Sequence, residues 1–329
     1  MKKKLLIWCY SIVFSLIQIY SAQACKFAVI SDARVRALDA ALEFIASQNV
    51  DFIIIPGDYY YDKQDYYSHF VKFGFKVKPE KQPDKQNVYF VLGNHDAPPY
   101  GDVGFINLIA PFYPKNGPEK APQGTIFSFN RNNCHFVVTN QYWNYPEGGY
   151  TSDQLKWIKQ DLAASDKAFK FVFGHEPAFP LYRHIGDSLD ANPTQRNLFW
   201  QILAENNVQA FFCGHTHNLS HVLDKGIYQI DNGRIKPSTV CVTIVDVGNE
   251  KATIRSYKQN KFSIELDMIW GISTVPVLQI DPVIETDIDL KAAAENIDTV
   301  KVLYSAKTGP KLFKTGCFIS TIFSPTYSE

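Results

Sequence analysis

The chain has 329 residues, 46% of them hydrophobic and 14% aromatic, which suffices for one large core or one core with an addition. Its 33 Lys and Arg residues are matched by 33 Asp and Glu residues. No overall field therefore exists to gather nucleic acid or an anionic membrane surface, and recognition by bulk charge is excluded.

The N-terminus reads as a leader. Lys2, Lys3 and Lys4 form a positive region, Leu5 to Ile17 an apolar one, and Ala22-Gln23-Ala24 a small-residue cleavage site. Residues 1–24 are thus expected to be a signal peptide, with the mature protein secreted or periplasmic and no stable membrane span. An uncleaved N-terminal anchor is the alternative. Lipidation of Cys25 is disfavoured, because Ala22 and Gln23 suit a lipoprotein signal poorly and core-like sequence begins at once. Without Cys9, five cysteines remain, so at most two bridges can form, and no CxxC pair offers a thiolate zinc site.

Five short apolar runs, each rich in β-branched or aromatic residues, read as buried strands. They are FAVIS before Asp32, FIIIP before Gly57-Asp58, VYFVL before Gly93-Asn94-His95-Asp96, FKFVF before Gly174-His175, and AFFC before Gly214-His215-Thr216-His217. Between the first two, Ala37 to Gln48 has helical spacing through Leu38, Leu42 and Ile45, which predicts a βαβ unit with parallel strands. The polar stretch 78–86 reads as a surface loop. Thr151-Ser152-Asp153-Gln154 has capping-box spacing and opens a predicted helix through Leu155, Ile158 and Leu162. Another helix is predicted over Thr194 to Asn206. Strands follow at Tyr228 to Asp231, Thr239 to Val247 and Ala252 to Gln259, the last two forming a hairpin through Gly248-Asn249-Glu250. The pattern predicts an α/β fold of two mixed β-sheets packed face to face, helices outside. Residues 25–261 form the expected catalytic domain, and 262–329 an accessory segment without a role, in which Leu290 to Ile297 suits a short helix.

Each of the five runs ends in a residue that can hold a metal, at the strand edge where α/β folds place ligands. Asp32, Asp58, Asn94, His175, His215 and His217 mix carboxylate, carbonyl and imidazole donors, which suit zinc, iron and manganese. Asp58 can bridge two ions through its two oxygens. His215 and His217 reach one site only if the backbone turns between them, and Gly214 offers a means. Arg183 and His184 follow the His175 loop and are candidates to line a cleft. His69, His135 and His221 read as hydrogen-bonded fold residues.

The ordered set Asp…GD…GNHD…GH…GHTH resembles the calcineurin-like metallophosphoesterase superfamily, and its details resemble the purple acid phosphatase branch. The usual Asp-x-His opening is Asp32-Ala33-Arg34 here, and the lost histidine is offset by Tyr61 in a GDxxY motif. The resemblance spans roughly residues 27 to 260. It implies an αββα sandwich and a first metal held by Asp32, Asp58, Tyr61 and His217. A second would be held by Asp58, Asn94, His175 and His215. Fe(III) beside a divalent Fe, Zn or Mn is the implied pair.

The implied reaction is hydrolysis of a small phosphomonoester by metal-bound hydroxide. His95 would act as general acid, oriented by Asp96, and this suits an acidic optimum because the imidazole must start protonated. Arg34 stands where the branch usually has glycine. It either pairs with substrate phosphate or turns to solvent. Glu176 replaces a histidine that often follows the His175 position. A phosphodiesterase or nucleotidase on the same core, and a non-catalytic binding protein, remain open alternatives.

Overall fold

The computed structural model describes residues 25–59, 66–77, 87–97, 110–145, 147–259, 284–289 and 301–305. In chain order come β1 (Cys25–Val29), α1 (Val35–Ser47), β2 (Phe52–Pro56), α2 (Tyr66–Lys72), β3 (Val88–Val91), β4 (Phe127–Arg131), β5 (Cys134–Val138), α3 (Ser152–Ala164) and β6 (Phe169–Phe173). Then come α4 (Pro193–Glu205), β7 (Ala210–Cys213), β8 (Leu219–Asp224), β9 (Ile227–Asn232), β10 (Ile235–Lys236), β11 (Thr239–Val247), β12 (Lys251–Gln259), β13 (Ile284–Asp289) and β14 (Lys301–Ser305).

The strands form two mixed sheets. One runs β13-β12-β11-β1-β2-β3 with β10 beside β11, and the other β14-β8-β9-β7-β6-β5-β4. Strands β1, β2 and β3 are parallel, as are β5, β6, β7 and β9. The predicted βαβ unit is present, and the β11–β12 hairpin closes through Gly248 N–H to Lys251 O at 2.8 Å.

Alternation along the second sheet builds two layers at once. Phe136, Phe171, Phe173 and Phe212 face the other sheet, while Val137, Val172 and Phe211 meet the helices outside. Phe27 of β1 is central to the inner layer, with its ring 5.4 Å from Phe52 and 5.3 Å, edge-on, from Phe136. Against the outer face pack Leu155, Ile158 and Leu162 of α3 and Phe199, Trp200 and Leu203 of α4.

Helix boundaries follow their caps. Thr151 Oγ1 accepts from Gln154 N–H, so α3 starts where the capping box predicts. Helix α4 starts one residue before its predicted start, with Pro193 in the first turn and Asn192 as cap. Helix α1 begins two residues before its predicted start. Its N-cap Arg34 makes no side-chain cap bond, so no local signal marks that end.

Within the C-terminal segment, β13 pairs with β12 and β14 pairs with β8, so one chain segment extends both sheets. The predicted loop 78–86 and the helix expected from Leu290 lie outside the described residues. Cys25, Cys134, Cys213 and Cys241 are buried thiols, and that of Cys25 is hydrogen-bonded with Cys134. The three fold histidines have partners: His69 with Asp39, His135 with Asn130 and Asp161, and His221 with Thr286 and Ser256.

Candidate metal centre

The C-terminal ends of β1, β2, β3, β6 and β7 converge at one edge of the sandwich. Four candidate ligands there leave their strands in left-handed backbone: Asp32 (φ 51), Asp58 (φ 56), His215 (φ 67) and His217 (φ 60). Such φ values are costly for non-glycine residues and collect at functional sites. They turn His215 and His217 back toward one cleft. The positive φ belongs to the histidines themselves, whereas Gly214 serves close approach. A Cβ on it would overlap Ser31 Oγ and Asp32 Oδ2. Gly57 (φ 83) serves both ends, since a Cβ there would strike His175 Nδ1.

Two hydrogen bonds tie the sheets together at this edge. His215 N–H donates to Asp32 Oδ2 (3.0 Å), and His175 Nδ1–H donates to Pro56 O (2.8 Å). The second bond fixes the tautomer, leaving the Nε2 lone pair of His175 toward the cleft. His215 is fixed likewise, with Nε2–H on Asp187 O (3.2 Å) and Nδ1 facing inward.

Around His175 Nε2 lie Asn94 Oδ1 at 3.1 Å, His215 Nδ1 at 3.3 Å and Asp58 Oδ2 at 3.5 Å. Ligand atoms each about 2.1 Å from one ion, at tetrahedral or octahedral angles, stand about 3.0–3.4 Å apart. The separations of Asn94 Oδ1, His215 Nδ1 and Asp58 Oδ2 from His175 Nε2 are close to those between neighbouring ligands of one ion. On the other side of Asp58, Asp32 Oδ1 is buried and lies 3.1 Å from His217 Nε2 without a hydrogen bond. A buried carboxylate oxygen that accepts no hydrogen bond suits contact with a cation. Asp32, Asp58 and His175 present ligand atoms all within 4.8 Å of one another, so the two sets adjoin through Asp58. The donor set fits two ions. Tyr61, expected in the first set, lies outside the described residues.

Electrostatics agree. Burial alone would lower the His175 pKa, but Asp58 and Asp32 outweigh it and hold it up at about 10. The pocket thus favours positive charge. Burial, together with His175 and His184, pushes the His215 pKa down to about 2, so this imidazole is neutral, as a ligand must be.

Of the remaining expected residues, His95 is half exposed at the cleft, its Nε2 3.9 Å from Asp58 Oδ2 and its N–H on Asp58 Oδ1 (3.0 Å). Asp96 is buried and its Oδ2 accepts from Asp58 N–H (2.6 Å) and Gly93 N–H (3.0 Å), locking two ligand turns together. Burial, then Asp58, raises its pKa to about 8. Glu176 is buried beneath His175, its Oε1 accepting from Tyr142 O–H (3.0 Å), and burial lifts its pKa to about 8. Arg34 is exposed at the rim beside Asp32. Arg183 donates to His217 Nδ1, and His184 lies with its ring 4.1 Å from that of His215 and Nδ1 3.1 Å from Asp187 Oδ2.

Several positioning residues escaped the sequence reading. Ser31 Oγ lies 2.7 Å from Asp32 Oδ2 and 2.8 Å from Pro56 O. Gln141 Oε1 accepts from His175 N–H (2.6 Å) and Glu176 N–H (2.7 Å). Gln141 follows the apolar run of β5, the same strand-end position that flagged the ligands, but it is not a metal-binding type. Arg234, 3.0 Å from His217 Nδ1, sits in a turn with no motif.

Comparison with known proteins agrees with this geometry. Purple acid phosphatase 22 of Arabidopsis thaliana is 25% identical over 243 residues, covering 71% of this chain and 52% of that protein. Tartrate-resistant acid phosphatase type 5 of Rattus norvegicus is 35% identical over 80 residues, covering 23% of this chain and 22% of that protein. The chain thus matches about half or less of the length of these relatives. Two solved structures share the fold. A dimetal phosphatase from Danio rerio has a TM-score of 0.52 at 13% identity, covering 70% of this chain and 95% of its own. A purple acid phosphatase from yellow lupin has 0.52 at 12% identity, covering 82% and 54%. With the calcineurin-like phosphoesterase pattern matched over residues 25–219 and its ligands folded into one cleft, the chain belongs to that family.

Proposed function

We propose that the protein is an exported acid phosphatase that hydrolyses small phosphomonoesters at a mixed-valent dimetal centre, Fe(III) beside Fe, Zn or Mn. The observation that carries this reading is the paired ligand shell around Asp58, together with the GDxxY tyrosine at position 61. Asp32, Asp58, Tyr61 and His217 would hold the first ion, and Asp58, Asn94, His175 and His215 the second. Bound there, the ions supply an activated water and neutralise charge on the phosphoryl oxygens.

The chain's own residues do the rest. Pro56 O and Asp187 O hold His175 and His215 in their ligating tautomers. Asp96 and the His95 N–H fix the Asp58 carboxylate and its turn. His95, half exposed beside Asp58, gives its proton to the leaving alcohol oxygen. Arg34 and Arg183 at the rim receive the phosphate dianion. Export is supported by the leader pattern of residues 1–24. The full burial of Cys25, its thiol against Cys134, supports cleavage without lipidation, because an acylated sulfur would have to leave the core.

The test is the visible spectrum and the substrate range of the purified protein. A purple band that Tyr61→Phe abolishes, and faster turnover of para-nitrophenyl phosphate than of its bis ester, are expected. Normal phosphatase activity in Asp58→Asn would sink the proposal.

A further inference from the structure

The end of the sandwich remote from the metal centre holds a pair of thiols that the site does not use. Strands β1 and β6 both deliver ligands beyond their C-terminal ends, and β5 runs parallel to β6. The first residues of β1 and β5, Cys25 and Cys134, therefore sit at the opposite edge. Side chains two apart on a strand share a face. Phe27 and Phe136, two residues further along each strand, meet across the gap with 5.3 Å between ring centroids. The same register brings Cys25 opposite Cys134, and all four side chains belong to one buried layer. The Cys25 thiol is hydrogen-bonded with that of Cys134, and this contact first, then burial, pushes its pKa up.

Packed sheets stand about 10 Å apart, wider than the ~4.4–6.8 Å between Cα atoms that a disulfide spans. This edge is drawn in. Asn133, just before Cys134, donates from Nδ2 to Gly248 O (2.8 Å). Gly248 follows Val247, which pairs with Cys25 in the β1–β11 ladder. One short side chain thus reaches from the backbone of one sheet to that of the other, beside the two thiols. Cys213 instead donates to Ile230 O (3.6 Å), so it has a partner of its own.

We propose that Cys25 and Cys134 form a disulfide in the exported protein, stapling the two sheets at the end away from the metals. This inference rests on the export reading for where the bond forms, but not for its geometry. As the S–S bond forms, each thiol gives up one proton and one electron. A small-molecule or protein disulfide takes up both protons and both electrons and becomes two thiols. The reaction precedes closure of the core, because a buried neutral thiol is a poor nucleophile. The bond constrains the unfolded chain over residues 25–134. It also consumes the sulfur that a lipid would need.

The full chain with its leader is expressed, quenched with a thiol-alkylating reagent in denaturant, digested without reduction and mapped by mass spectrometry. A peptide linking Cys25 to Cys134 is expected, with Cys213 and Cys241 alkylated. The same map is made of protein refolded in a mixture of oxidised and reduced glutathione. Alkylated Cys25 and Cys134 in cleaved, exported protein, or after that refolding, would overturn the bridge. A bridge in the refolded protein, with both thiols alkylated and the leader uncleaved in protein from cells, would keep the bridge and overturn export. Reductant should lower the thermal midpoint of the bridged wild type by about 5–10 °C. Cys25→Ala/Cys134→Ala should start lower and not respond. An equal shift in both proteins would place the reductant's effect elsewhere and overturn the staple.

Discussion

His221 sets a limit on how acidic a medium the fold tolerates. It lies on β8, fully buried, with Nδ1 3.0 Å from Thr286 Oγ1 on β13 and Nε2 2.9 Å from Ser256 Oγ on β12. Ser256 Oγ is in turn 2.9 Å from Thr243 Oγ1, so the ring links the two sheets through hydroxyls alone. Burial pushes its pKa from the ordinary 6.5 down to about 3. The folded-state pKa of this base lies below the unfolded one, so between these values the unfolded chain binds the extra proton. The stability at stake is fully present above about pH 6.5 and declines as pH falls toward 3. Each pH unit within that window costs about 1.4 kcal/mol, or about 2 kcal/mol between pH 8 and pH 5. That is a large share of the ~5–15 kcal/mol by which domains are stable. His221→Gln removes the titration and retains a donor and an acceptor for the two hydroxyls. Urea midpoints of both proteins are measured at constant slope from pH 8 to pH 4.5. The variant should be less stable at pH 8 and lose less on acidification, the gap closing by about 2 kcal/mol at pH 5. Other acid-sensitive groups, such as Asp39, occur in both proteins and cancel. Parallel profiles for the two proteins would refute the reasoning.

Four further perturbations probe the site and its frame. Gly214→Ala places a methyl on Ser31 Oγ and Asp32 Oδ2. Bound metal per chain, measured by elemental analysis, should fall together with activity, and full loading would show that the turn can yield. Phe27→Ala empties the centre of the inter-sheet layer and should cost about 3–5 kcal/mol in chemical denaturation. Thr151→Ala removes the α3 cap and should cost only about 1 kcal/mol, because α3 also packs through Leu155, Ile158 and Leu162. Stripping metal with a chelator should lower the thermal midpoint and re-addition should restore it, since ions held by Asp32, Asp58 and the histidines stabilise only the folded chain. An unchanged midpoint would mean that the shell forms without bound ions.

The sequence by itself determined the local facts. Short continuous apolar runs each followed by a candidate ligand, a capping box at Thr151 and a hairpin turn at Gly248 are readable because a few neighbouring residues decide them. These were sufficient for the two-sheet architecture and for singling out Asp32, Asp58, Asn94, His175, His215 and His217, which the fold gathers at one sheet edge. The tertiary structure decided what depends on residues far apart in the chain. His215 N–H meets Asp32 Oδ2 across a separation of 183 residues, and no periodicity encodes that contact. The left-handed backbone of Asp32, Asp58, His215 and His217 is likewise held by the packing of two sheets and runs against each residue's own preference. Arg234 meets His217 where the backbone of Ile235 is strapped to the Asp32 loop, a contact between distant segments that no motif encodes. Strands β13 and β14 extend opposite sheets from one segment because edge strands find partners by open backbone groups, which side-chain patterns do not specify.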